Sequence, residues 1–161
     1  MSRTSASTFS GRTGTRRSDH RLRLARVADL ELHTLLLCDY ALTAQDGKIS
    51  AVGVFSQINI ARLPATHGRC FIVAILEASP GPHELSFQVI SPTGKPTLQQ
   101  APRLRIEVPP NATTANIVAD LKGMRLEEIG RHRVEVRAGD QILGTSPFTV
   151  NIILRQTPGN A

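Results

Sequence analysis

The chain has 161 residues, 40% of them hydrophobic, two cysteines and a formal charge of +6. That length suits one domain with a core of its own and is short for two; the most apolar run, Cys70 to Leu76, is strand-sized and far from the roughly 20 residues a membrane-spanning helix needs. The charge sits at one end, because residues 1–28 hold seven arginines against one acid, Asp19, while residues 29–161 hold 12 basic and 12 acidic residues, which removes a basic fold as a nucleic-acid signature.

Residues 1–28 are rich in Ser, Thr, Gly and Arg, with Phe9 the one aromatic. Such a segment cannot bury enough apolar surface to offset its ordering entropy, so it is expected to be a disordered basic tail. An electrostatic arm for nucleic acid, a patch for anionic lipid and an organellar transit peptide all share that composition. A start at Val27, just before the compact pattern begins, would instead make the tail dispensable.

From His33 onward, short β-branched and aliphatic runs alternate with Gly, Pro, Asn and Asp punctuation about every ten residues, the pattern of a sandwich. His33 to Leu42 reads as the first strand; Asp46-Gly47 turns the chain, and Lys48 to Ile60 returns as the second. Cys70 to Ala78 is apolar on both faces, as a central strand would be. His83 to Ile90 alternates, with Leu85, Phe87 and Val89 inward. Leu104, Ile106 and Val108 alternate with Arg103, Arg105 and Glu107; Ile117, Ala119 and Leu121 mark a further strand. Val134 and Val136 alternate with Arg133, Glu135 and Arg137, and Ile142 to Ile153 closes the fold with Phe148, Val150 and Ile152 inward. The expectation is an all-β, immunoglobulin-like β-sandwich of about 7–9 mostly antiparallel strands, eight by this count, spanning residues 29–154 and followed by a flexible end, 155–161. No convincing helix competes for the core: the one candidate, Leu126 to Ile129, is too short and is stopped by Gly130.

Gly130-Arg131-His132-Arg133-Val134-Glu135-Val136 followed by Ser146-Pro147-Phe148-Thr149-Val150 resembles the closing hairpin of filamin-type immunoglobulin-like repeats, with His132 where that family places tyrosine and Thr145 where it places glycine. Cys38-Asp39-Tyr40, Asp46-Gly47-Lys48-Ile49-Ser50, Val52-Gly53-Val54-Phe55, Leu63-Pro64 and Ile72 to Glu77 together are similar to a family of small bacterial domains of unknown function. The first likeness implies fold only; the second implies fold and a bacterial origin, and nothing about chemistry.

The chemistry is sparse. Cys38 and Cys70 lie in apolar runs and not in a CxxC pair, so buried reduced thiols are expected, with a Cys38–Cys70 disulfide as the alternative. The five histidines are scattered, no glycine-rich phosphate loop precedes a helix, and no G-x-S-x-G elbow occurs, so no catalytic residue, cofactor or metal is assigned. Asp39, inside an apolar strand, is either outward-facing or tied to a neighbouring turn, or else an interaction residue. Arg103, Arg105, Arg131, Arg133 and Arg137 form a basic stripe if their strands share an outer face, although Glu107 and Glu135 among them favour a solvated mixed face. His132 is expected to be a partly buried substitute for tyrosine that ties a corner together, with a pH-sensing role as the alternative. Asn111-Ala112-Thr113 fits a glycosylation sequon, which matters only in a secreted eukaryotic chain.

The expected function is therefore a non-enzymatic, cytoplasmic protein-binding or scaffolding module, working through an unidentified protein partner or self-association at an edge strand. The alternatives are nucleic-acid or anionic-surface binding through the tail, and an enzyme with an unrecognised site.

Overall fold

The computed structural model describes residues 29–153, so the tail reading and the 155–161 reading lie outside the described residues. Nine strands follow in order: β1 (Leu30–Thr43), β2 (Ile49–Phe55), β3 (Gln57–Ile60), β4 (Ala65–Ala78), β5 (Gly81–Ile90), β6 (Arg103–Val108), β7 (Thr114–Leu126), β8 (Gly130–Ala138) and β9 (Gln141–Ile152). They form two sheets, β2-β1-β4-β7 and β3-β9-β8-β5-β6. All pairings are antiparallel except β3 with β9. The architecture is the expected immunoglobulin-like sandwich, and no α-helix lies among the described residues.

The core forms where the inward residues of the two sheets meet. Cys70, Ile72, Ala74 and Leu76 of β4 and Ile117, Ala119 and Leu121 of β7 pack with Leu85, Phe87 and Val89 of β5, Val134 and Val136 of β8, and Phe148 and Val150 of β9. Each set lies two residues apart on its strand, the spacing that keeps side chains on one face of a pleated sheet. The sandwich is pinned on one side by a close approach of β1 to β9, where a Cβ on Gly144 would run into Leu32.

The structure corrects the second strand. Lys48 to Ile60 is not one strand: it breaks at Ser56, leaving β2 beside β1 and carrying β3 into the other sheet, parallel to β9. Phe55-Ser56-Gln57 holds no Gly, Pro, Asn or Asp, so no turn signal marks the crossing. As expected, Leu126 to Ile129 forms no helix: Leu126 ends β7 and Glu127 to Ile129 is the short link to β8. Ile152 continues the alternation of Phe148 and Val150 but is left 43% exposed at the strand end.

Cys38 and Cys70 are both free and buried. Cys70 belongs to the core between the sheets, whereas Cys38 packs with Phe71 and Val73, whose side chains alternate with the core set on β4. The two thiols thus lie on opposite faces of one sheet, which removes the disulfide. Burial pushes the Cys70 thiol up to about 11, so it stays protonated at neutral pH.

Candidate interaction surface

The five-stranded sheet turns a polar face outward, and the predicted arginines share it. Arg103 of β6 and Arg137 of β8 both pair with Ser86 of the intervening β5, and Arg105 stands opposite Glu84. Arg133 and Arg137 close over Glu135: Arg133 Nε donates to Oε1 at 2.9 Å, and Arg137 donates to Oε2 from Nε at 3.0 Å and Nη2 at 2.8 Å. Glu135 is 1% exposed, although alternation places it on the outer face. Burial pushes its carboxyl up, but the hydrogen bonds and charges of Arg137 and Arg133 outweigh that and hold it below the usual glutamate value.

The stripe therefore assembles without becoming a cationic patch. Two of its arginines are spent on Glu135, and Arg131 is exposed opposite Thr149 of β9. Beside Arg103 and Arg105 lies an open cleft of about 470 Å³ that also contains Glu84, Ser86 and Asp140. Acids and bases alternate there, which suits a solvated face better than a phosphate site.

The four-stranded sheet is different. A second apolar cluster, Cys38, Ala41, Phe71 and Val73 with Leu36, Ile49 and Val118 against it, draws only on β1, β2, β4 and β7. Because Phe71 and Val73 alternate with the inward residues of β4, this cluster lies on the face turned away from the other sheet. Tyr40 packs edge-on against Phe71 at 5.6 Å between centroids, and the Arg69 guanidinium sits 4.9 Å over the same ring. Arg69 is in turn fixed by Asp120, which accepts from Nε at 3.0 Å and Nη2 at 2.8 Å.

Toward β2 the cluster runs out into solvent. Tyr40 pairs with Val52 and Cys38 with Val54, and Tyr40, Val52 and Val54 are 51%, 61% and 59% exposed. Asp39 lies between them on β1, itself exposed, with its carboxylate against Gly53. Gly53 has φ +66°, and a Cβ there would strike the Asp39 side chain, so this pair shapes the edge and needs glycine. Asp39 is thus solvent-exposed beside the hairpin.

β2 is also the least guarded edge of the sandwich. Edges are normally blunted by charge, proline, bulges or shortness. Arg103, Arg105 and Glu107 protect β6, which is flanked by Pro102 and Pro109; β3 has four residues; β7 carries Asp120, Lys122 and Arg125. Ile49 to Phe55 has no charge and no proline. Tyr40, Val52 and Val54 were not among the candidates from sequence; the uncharged run after a strong turn was the signal available for them.

His132 lies near the start of β8. It is fully buried, stacked on Phe148 at 5.3 Å, and its Nδ1 donates to the Gly130 carbonyl at 3.1 Å. No group of three or more metal-ligating side chains occurs among the described residues, and no helix there is long and apolar enough to cross a membrane. A smaller cleft of about 220 Å³, near Lys95, Arg125 and Glu128, lies between the β5–β6 and β7–β8 links. There Thr93 donates to Glu128 at 2.7 Å, an arrangement that fastens two loops.

The sequence model of DUF6941, described as a family of unknown function, matches residues 33–151. No curated protein matches the chain. Among solved structures, an alkylpurine DNA glycosylase from Pseudomonas fluorescens, bound to DNA with an abasic-site analogue, is 18% identical, with a TM-score of 0.43. That alignment covers 76% of this chain and 30% of the glycosylase, so the chain spans under a third of that protein. An immunoglobulin-like protein from Pseudomonas aeruginosa is 16% identical with a TM-score of 0.39, covering 78% of this chain and 99% of that one. A β-glucosidase from Listeria innocua in complex with glucose is 11% identical with a TM-score of 0.43, covering 78% and 16%.

Proposed function

We propose that this chain, which belongs to the family of unknown function DUF6941, is a non-enzymatic protein-binding module that works through the β1–β2 hairpin and the apolar outer face beside it. The observation that carries this reading is the placement of Tyr40, Val52 and Val54, exposed and contiguous with a buried apolar cluster on the outside of the four-stranded sheet. An outer sheet face is normally polar, and an apolar one alongside an uncharged edge invites a partner strand. Two unpaired thiols support a reducing compartment such as the cytoplasm.

Capture from the native host tests it, with the full chain and a Val52→Lys/Val54→Lys variant as baits, washed at high salt. The reading expects a protein partner retained at high salt by the native chain and lost with the variant. Material held by both baits alike would contradict it. Nucleic acid released as salt rises would favour the arginine-rich segment before residue 29, since phosphate contacts weaken steeply with salt.

A further inference from the structure

We infer that the partner of the β2 edge is a second copy of this chain, added strand to strand about a two-fold axis; this rests on the hairpin being the interaction surface. The area available argues first. A stable interface buries about 800 Å² per partner, and Tyr40, Leu42, Val52 and Val54, each exposed to between 42% and 61%, supply less than roughly half of that. Side chains on this hairpin do not suffice alone, so the unpaired main chain of β2 has to contribute. A second copy brings a matching edge and an equal apolar patch at once.

Charge argues next. Ile49 to Phe55 is uncharged, so an antiparallel copy of itself sets no like charges opposite one another. At the turn end Lys48 Nζ already lies 2.7 Å from Asp46, leaving that end neutral where it passes the copy. Closure follows from the other edges, because β3 and β6 are short and β6 and β7 carry charges, among them Arg103, Arg105 and Glu107 on β6 and Asp120, Lys122 and Arg125 on β7. With one open edge per copy, pairing is isologous and stops at two, forming one continuous eight-stranded sheet.

Sedimentation velocity of the full chain across a wide concentration range tests this, with Val52→Lys, the milder Val52→Thr, and Arg105→Glu on the β6 edge. The expected result is a concentration-dependent dimer weakened about a hundredfold by Val52→Lys, less by Val52→Thr, and not at all by Arg105→Glu. Thermal melts at a concentration where the native chain is monomeric establish that the variants fold. A chain that stays monomeric while still capturing a host protein through Val52 overturns the second copy and leaves the hairpin reading standing. A dimer indifferent to Val52→Lys overturns the arrangement. Neither dimer nor Val52-dependent capture overturns both.

Discussion

The two outer faces of this sandwich are built on opposite plans. On the five-stranded sheet, polar side chains satisfy one another: Glu135 is buried under Arg133 and Arg137, and the remaining arginines alternate with acids. On the four-stranded sheet, apolar side chains cover one another as far as Tyr40 and are then left uncovered at Val52 and Val54. A face that completes its own bonding has little to offer a partner. One whose apolar cluster runs out into solvent gains free energy when something closes it.

The largest expected effect breaks the apolar side. Phe71→Ala removes the ring that Tyr40 and Arg69 lean on, and should lower unfolding stability in denaturant by about 3 kcal/mol. A loss under about 1 kcal/mol would mean that the outward cluster is not truly packed.

On the polar side, Glu135→Gln should cost about 2 kcal/mol at neutral pH, because two guanidinium groups lose their shared counter-charge. The native carboxyl is held below its usual value, so its contribution is complete above pH 4.5 and is lost as pH falls through the lower folded-state value. Melts between neutral and acid pH should show the variant losing less stability than the native chain over that window. Parallel curves would deny the Glu135 cluster that role.

Gly53→Ala should cost about 1–2 kcal/mol, since a side chain there is strained by the positive φ and meets Asp39. Its companion Asp39→Ala, which clears the space but not the backbone strain, should restore only part of that loss; full restoration would show that contact, not conformation, is decisive. The smallest effect belongs to Arg105→Ala, an exposed residue on a solvated edge, expected to change stability by less than about 0.5 kcal/mol. A larger loss would reveal coupling on the polar face beyond Glu135.

The strands whose faces differ in polarity were the legible ones. Leu85, Phe87 and Val89, and likewise Val134 and Val136, alternate in the residues as they do in the fold. β4 also read correctly as apolar on both sides, and the structure explains why: one side fills the intersheet core and the other the outward cluster. The crossing at Ser56 was invisible because no Gly, Pro, Asn or Asp stands at Phe55-Ser56-Gln57 to signal a turn. Glu135 misled, since a charged residue at an outward position reads as solvated unless its neighbours on the same face are known to close over it. Which edges lie open depends on strand order, and strand order is not written in any local run.

Hydrogen–deuterium exchange of the full chain, compared between dilute and concentrated protein, tests the central claim most directly. Self-pairing at the hairpin predicts amides of Ile49 to Phe55 that become protected as concentration rises, while those of Arg103 to Val108 on the opposite sheet do not change. Protection that appears on β6 and leaves β2 untouched would contradict it and move the interaction surface to the polar face.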